Sequence, residues 1–455
     1  MINIKTNSKL VKKGDTFIAI KGINRDGHNY IEDAIKNGAT SIICEHGSYS
    51  VNTVVVPDTS KFLREYLYTN YYDKIKNLHL IGMTGTNGKT TTCYLMYQAL
   101  RKLNKKCGYI GTIGFYIDKK IKDLDNTTPE IQDIYEMLLE CAENNCEYVV
   151  MEVSSHALAL GRVDNLVFDY AIFSNLTDDH LDFHKTFENY IEAKKQLFTM
   201  VKKEGASIIN VDDPNYDKIV NKDCRNLFFG FKDSEYRILN YEYINYKTKF
   251  SVIINGKEEE FVIKLLGKYN IHNMMGVIII LNDLKVDIEK IKEIVSELNY
   301  PPGRMDTIKY NDSLIIVDYA HTPDAVLNVI SCVKEYAKGK IYTIVGCGGN
   351  REKTKRPLMA KCATDLSDYV IITNDNPRFE DPKEIINDMI EGLNNTNYEI
   401  CEDRVKAIHK GIDLLHSNDV LLILGKGHED YQIIGDVKHH HDDKESVLEY
   451  IDKVM

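Results

Sequence analysis

Apolar and polar positions alternate along this chain with two periods, and each change of period marks an element boundary. The short apolar runs "DTFIAI" and "TVVVP" read as strands, and "NYIEDAIKNG" and "SKFLREYLYTNYYDKI" read as helices. Next comes "LHLIG", a buried strand, then a glycine-rich segment and an amphipathic helix, "KTTTCYLMYQALRKLN". Downstream, "EYVVMEV", "FDYAIFS" and "ASIINV" are apolar runs separated by helical stretches. That alternation predicts a mainly parallel sheet with helices on both faces. Between Ile238 and Leu266 the period becomes two, with Asn255-Gly256 as a turn, so a hairpin is expected there as an antiparallel extension. "PPGR", from Pro301, marks a linker, after which "LIIVDYA", "IYTIVG", "DYVIITN" and "VLLILG" resume the strand–helix rhythm.

The fold class expected is therefore α/β. With 455 residues, and about 150 per domain, three domains are expected. They are a small N-terminal α/β domain over 1–79, a central domain with a mainly parallel sheet over 80–300, and a C-terminal Rossmann-like α/β domain over 301–455.

Composition narrows the function classes. A net charge of −11 argues against a general nucleic-acid or anionic-membrane surface. No apolar run approaches the roughly 18 residues of a membrane span, and "MINIKTNSK" lacks the apolar region of a secretory signal. The ten cysteines contain no C-x-x-C pair, and the nearest two, Cys141 and Cys146, fall in one expected helix. Reduced thiols in a cytoplasmic protein are the expectation, with no disulfide framework or zinc site. The run His439 to His441 reads as solvated surface.

The segment "LIGMTGTNGKTTT", Leu80 to Thr92, carries the clearest chemistry. A phosphate loop needs small residues that let backbone N–H groups converge on phosphate oxygens, the positive end of a following helix, a lysine, and a hydroxyl for Mg²⁺. Gly85 and Gly88 supply the close approach, with Thr86 and Asn87 between them; Lys89 supplies charge, and Thr90 and Thr91 supply hydroxyls. The general pattern G-x-x-x-x-G-K-[ST] would place glycine where Met83 stands. A guanine-nucleotide switch would need N-K-x-D, and the nearest approach, Asn221-Lys222-Asp223-Cys224, ends in cysteine.

The compact form T-G-T-N-G-K-T resembles the loop of the Mur ligase superfamily, enzymes that join an amino acid to a carboxylate using ATP. The resemblance runs over nearly the whole chain and implies that the central domain is a P-loop ATPase. "MEVSSHAL" resembles the segment whose glutamate helps hold Mg²⁺, here Glu152, and "SNLTDDHLDFH" implies a metal-side histidine, His180. "NYIEAKKQLF" is similar to the helix whose lysine, here Lys194, becomes a carbamate. A carbamate turns a cation into an anion able to hold a second Mg²⁺. Lys89, Glu152, His180 and Lys194 are thus implied as catalytic, and Thr90, Glu152, His180 and carbamylated Lys194 as metal ligands. "GKYNIHN" implies Asn270 on the adenine side, and "PPGRMD" and "VDYAHTPDA" imply Arg304 and Asp318 closing over ATP.

About 80 residues precede the loop, whereas folylpolyglutamate synthetases, in the same superfamily, begin close to it. The leading "TNSKLVKKGDTFIAIKGINRDGHNYI" is similar to a uridine-nucleotide-binding domain, with Ser8 in the place of the serine of D-S-R, flanked here by Asn7 and Lys9. "NTTP" gives Thr127 and Thr128, and Ser154 and Arg162 match further muramoyl-substrate contacts. In "TNDNPRFEDP", Asp375-Asn376-Pro377-Arg378 resembles the D-N-P-R motif of the members that add meso-diaminopimelate. A guanidinium can grip the extra carboxylate of that amino acid bidentately. Arg351 in "GCGGNREKTKRP", and Gly425 and Glu429 in "GKGHEDYQ", complete the implied amino-acid pocket, with Glu429 facing the distal ammonium.

The resemblance implies a cytoplasmic, monomeric ligase with ATP and Mg²⁺ as cofactors, adding meso-diaminopimelate to UDP-N-acetylmuramoyl-L-alanyl-D-glutamate through an acyl phosphate. The alternatives are the same reaction with L-lysine, a folylpolyglutamate-synthetase-like ligase, or a silent nucleotide-binding scaffold. No nucleic-acid or membrane partner is expected.

Overall fold

The computed structural model describes residues 3–22, 25–244 and 247–454. Two compact units divide the chain, one formed by 1–89 with 100–228 and the other by 90–99 with 229–455.

The first unit contains two sheets. A small one pairs Ile4–Lys5, Thr16–Ile18, Ser41–Cys44 and Asn52–Val55, all parallel and in chain order. The larger runs Val201–Asn210, Phe168–Phe173, His79–Thr84, Tyr148–Glu152 and Cys107–Gly111, five parallel strands, then Gly114–Ile117 and Lys119–Lys122 antiparallel at the edge. Strand Tyr148–Glu152 is buried at every position, which is why its sequence reads as a continuous apolar run. The two strands after Gly111 escaped the sequence reading: Gly114–Ile117 is mostly buried but only 4 residues long, and the edge strand "KKIK" is exposed throughout and carries no apolar face.

In the second unit, the segment read as a hairpin is a three-stranded meander of Tyr236–Ile244, Lys247–Ile254 and Lys257–Ile263. Asn255 and Gly256 make its second turn, both with positive φ, 52° and 76°, as a type I′ turn requires. The C-terminal sheet has the order Asp306–Tyr310, Ser313–Asp318, Val420–Leu424, Ile341–Val345, Tyr369–Ile372, Tyr398–Ile400, parallel except for its first pair. Strand Val420–Leu424 lies between strands that are consecutive in sequence, so the strand order reverses there. Open α/β sheets bind ligands outside the carboxyl ends of their strands at such a reversal.

Two further readings need correction. Cys141 lies in helix Ile131–Glu143, but Cys146 lies beyond its end. His441 is not solvated: its side chain is buried and its Nε2 lies 2.8 Å from Asp443 Oδ1, because Asp443 is itself drawn inside by Arg404. All ten cysteines are free thiols, eight of them buried.

Candidate functional site

In the first unit, the site residues sit at the carboxyl ends of neighbouring strands. Gly85 follows His79–Thr84 with φ 153°, and a Cβ there would run into Ser174 Oγ, so only glycine fits. Gly88, with φ 91°, turns the chain into helix Lys89–Lys102. The loop is clasped from the next strand's end: Thr86 N–H donates to Asn175 O (2.8 Å), Asn87 N–H to Asn175 Oδ1 (2.9 Å), and Ser174 Oγ to Asn87 O (2.6 Å). Thr86 Oγ1 meets Tyr190 OH at 2.9 Å. Thr90 and Thr91 follow Lys89 along the helix and belong to the second unit, Thr90 buried.

Two lysines converge on one carbonyl. Lys89 Nζ donates to Gly85 O (2.8 Å) and Thr86 O (2.9 Å), and Lys194 Nζ donates to Gly85 O (2.8 Å). Lys194 is only 1% exposed, on the apolar stripe of helix Phe187–Thr199 with Tyr190, Leu197 and Phe198. Burial, and then the charge of Lys89, hold its ammonium well below the ordinary lysine range. A neutral amine is the form that can react with CO₂.

Glu152 ends its strand fully buried, with Tyr109 OH donating to Oε1 (2.6 Å), Thr112 N–H to Oε1 (2.8 Å) and Thr112 Oγ1 to Oε2 (3.0 Å). The expected substrate residues join this network. Thr127 Oγ1 lies 3.1 Å from Thr112 Oγ1, Thr128 Oγ1 donates to Glu152 O (2.9 Å), and Ser154 N–H donates to Thr128 Oγ1 (3.0 Å). Arg162 donates to Thr128 O (3.0 Å) and pairs with Glu130 (2.6 Å), while its buried Nε has no hydrogen-bond partner among the described residues. His180 is half exposed, with φ 54°, its ring 4.6 Å from that of His156. Ser8 stands apart from this network: it is buried at the start of a short 3₁₀ turn between the first two strands of the small sheet, its carbonyl accepting from Asn37 Nδ2 (2.9 Å), with Asn7 and Lys9 exposed beside it.

Mg²⁺ prefers hard oxygen ligands. The Thr90 hydroxyl and Glu152 carboxylate fit it; Lys194 as an amine offers no oxygen and would join only as a carbamate.

In the second unit, Asn270 is buried in helix Lys268–Asp283, donating to Leu266 O (2.7 Å) and accepting from Asn273 Nδ2 (2.9 Å). Asn273, missed by the sequence reading, also accepts from Thr92 Oγ1 at 3.3 Å. Asp318 ends its strand buried, taking Met305 N–H and Ala320 N–H at 2.8 Å each. Burial pushes its carboxyl above the usual range, although the Arg304 guanidinium and those amides pull the other way. Arg304 lies over the Tyr319 ring, 4.9 Å from its centroid.

The amino-acid residues gather at the carboxyl ends of Tyr369–Ile372 and Val420–Leu424. Asp375 Oδ1 accepts Asn376 N–H (2.6 Å), and a Cβ on Gly425 (φ 117°) would sit 2.8 Å from Asp375 Oδ2. Pro377 leads into Arg378, whose φ of 53° is pinned by Arg378 N–H to Ile433 O (3.0 Å) and Gly435 N–H to Arg378 O (2.7 Å). Arg378 Nη1 donates to Gly349 O (2.8 Å); among the described residues its Nη2 and Nε have no hydrogen-bond partner. Arg351 is exposed across Gly348 from it. Asn376 Nδ2 donates to Glu429 Oε2 (2.8 Å), and Lys426, fully buried, donates to the same oxygen (3.0 Å). The sequence reading of "GKGHEDYQ" misses Lys426, whose place between two glycines is the available signal.

Three descriptions of known families match: the Mur ligase family catalytic domain over 2–72, the Mur ligase middle domain over 83–281, and the Mur ligase glutamate ligase domain over 303–427. The chain belongs to the Mur ligase family, whose members are ATP-dependent, amide-forming ligases. The UDP-N-acetylmuramoyl-L-alanyl-D-glutamate–2,6-diaminopimelate ligase of Clostridium botulinum is 40% identical, covering 99% of this chain and 95% of that protein. The ligase of the same name from Fusobacterium nucleatum is 42% identical over 97% and 92%. A solved structure of an enzyme of that name superposes with a TM-score of 0.70 at 31% identity, over 100% of this chain and 95% of that one. MurF ligase from Thermotoga maritima, solved with ADP, shares the fold with a TM-score of 0.68 at 21% identity over 99% and 97%. No described helix is long and apolar enough to cross a membrane.

Proposed function

We propose that the protein adds meso-diaminopimelate to UDP-N-acetylmuramoyl-L-alanyl-D-glutamate, with ATP and Mg²⁺, in cytoplasmic synthesis of peptidoglycan precursor. The observation that carries the choice of amino acid is Arg378, a half-buried guanidinium with one edge fixed on Gly349 O and the other open. An open fork on the loop that also carries Asp375, with Glu429 tied to that loop through Asn376, matches an amino-acid end that bears both a carboxylate and an ammonium. The relatives whose names carry this activity support the same reading.

The loop amides from Gly85 to Lys89 hold the ATP phosphates, and Lys89 offsets charge on the transferring phosphoryl group. Asn270, Arg304 and Asp318 hold the nucleoside end. Thr127, Thr128, Ser154 and Arg162 orient the acyl substrate, with Ser8 on its uridine end, so that the D-glutamate side-chain carboxylate accepts the γ-phosphoryl group. Arg351, Asp375, Asn376, Pro377, Arg378, Gly425 and Glu429 hold the incoming amino acid for attack of its amine on the acyl phosphate, releasing phosphate. Lys194, its ammonium held well below the ordinary lysine range, takes up CO₂ as the free amine with loss of a proton. Thr90, Glu152, His180 and that carbamate would hold Mg²⁺, which neutralises phosphate charge when bound.

The test is phosphate release by the purified protein given ATP, Mg²⁺ and the UDP-linked dipeptide, with diaminopimelate or L-lysine added separately and the product weighed by mass spectrometry. Release with a product heavier by one diaminopimelate residue supports the reading; product with lysine alone replaces the amino acid, and silence with both removes the acceptor.

A further inference from the structure

We propose that Lys426 is a positioning residue that sets the site's preference for an added amino acid with an extra carboxylate over one without it. This rests on the reading of the amino-acid site above. Lys426 is 0% exposed and never reaches solvent, so it is not one of the groups that meet a ligand from outside. Its Nζ donates to Asn376 Oδ1 (3.1 Å) and Glu429 Oε2 (3.0 Å), and Asn376 Nδ2 closes the triangle on the same Oε2 (2.8 Å). Ile433 N–H, 2.9 Å from Asn376 Oδ1, fixes which way that amide points.

Two consequences follow. Both bonds to Glu429 fall on Oε2, so Oε1 is left for a ligand ammonium in a fixed place. Lys426 also offsets the charge of Glu429; Arg404 is paired with Asp443, Arg356 with Glu380, and Arg304 acts on Asp318, which leaves Arg351 and Arg378 against Asp375. That balance is positive. The far end of diaminopimelate is a zwitterion and feels little net repulsion there, whereas the far end of lysine is a bare cation and is repelled. Replacing Lys426 by methionine, of similar length, removes a positive charge and frees Glu429 to face the ligand. Affinity for both amino acids should fall as Glu429 loses one of its two anchors, but lysine should lose less.

The experiment measures kcat/KM for diaminopimelate and for L-lysine with ATP, Mg²⁺ and the UDP-linked dipeptide, in wild type, K426M, K426R, E429Q and K426M/E429Q. At an effective dielectric between protein and water, K426M should lower the diaminopimelate-to-lysine ratio about tenfold, mainly through KM. K426R, which keeps the charge, should hold the ratio within about threefold of wild type. In the E429Q background the same change should move the ratio by less than about threefold, since the partner through which Lys426 acts is gone. Equal losses for both amino acids in folded K426M would overturn the inference, as would a tenfold ratio change that persists without Glu429. If K426M does not fold, K426Q, which keeps a donor toward Glu429 without the charge, makes the same comparison: a fall of about tenfold is expected, and an unchanged ratio overturns the inference. A wild type that uses diaminopimelate, with an unchanged ratio in K426M, sinks this inference alone. A wild type that does not use diaminopimelate sinks the functional reading with it.

Discussion

Replacing Arg378 by alanine should abolish discrimination without unfolding the protein. Its Nη1 is spent on Gly349 O at 2.8 Å, so the group available to a ligand is the other edge, Nη2 with Nε. Two charge-assisted bonds from that edge to a carboxylate are worth roughly 1.5–3 kcal/mol each, less what the ligand regains from water. A net loss of about 2–5 kcal/mol is expected when one partner of a desolvated charge pair is removed. At about 1.4 kcal/mol per tenfold, kcat/KM for diaminopimelate should fall by roughly 30-fold to a few thousand-fold. Lysine, which has no second carboxylate, should lose less than about threefold by the same argument. The backbone supplies a control. Arg378 has φ 53°, so alanine inherits the same left-handed strain, whereas glycine is relieved of about 1 kcal/mol of it. R378G should therefore lose diaminopimelate use as fully as R378A while melting higher. The assay is steady-state phosphate release with each amino acid, beside thermal melts of the three proteins. Equal losses for diaminopimelate and lysine would refute the reasoning, because they would make Arg378 a general support of the loop.

Three further outcomes follow from the geometry. G85A should weaken ATP binding at least about tenfold by calorimetry, because the new Cβ meets Ser174 Oγ and breaks its bond to Asn87 O; S174G should restore part of the loss. Lys194 has a folded-state pKa held below its unfolded value, so the unfolded chain binds more protons from that folded value up to about 10.4, and stability should rise with pH across the window. In bicarbonate-free urea titrations K194M should lose that slope and be the more stable protein at neutral pH, and ¹³C-bicarbonate should give a carbamate resonance in wild type that K194M lacks. R404A should cost about 3–5 kcal/mol, because Arg404 and Asp443 are buried together at 2.7 Å and the variant strands a carboxylate; R404M/D443L should recover most of it in the same denaturation assay.

Much of the α/β layout was legible because strands such as Tyr148–Glu152 and Val420–Leu424 are buried on both faces and declare themselves as apolar runs. The strands Gly114–Ile117 and Lys119–Lys122 were not: the first is a mostly buried run of only 4 residues, and the second lies at an exposed edge, which needs no apolar pattern. Among site residues, Gly85 and Gly88 could be read from the backbone freedom that phosphate loops require. By local pattern alone, Lys194 beside Lys195 reads as a solvated helix face. Its spacing of four from Tyr190 and three before Leu197 places it on the buried stripe, a signal that a charged side chain masks. Lys426 was hidden for a different reason: its partners Asn376 and Glu429 come from another strand end and from three residues on, and no local period connects them.

The most direct test of the central claim is a competition. Purified protein with ATP, Mg²⁺ and UDP-N-acetylmuramoyl-L-alanyl-D-glutamate would be given meso-diaminopimelate and L-lysine in equal amounts in one vessel. The ratio of the two product masses reads the ratio of their kcat/KM values. The account predicts the diaminopimelate product in large excess in wild type and a near-even mixture in R378A. A lysine product dominating in wild type would contradict it.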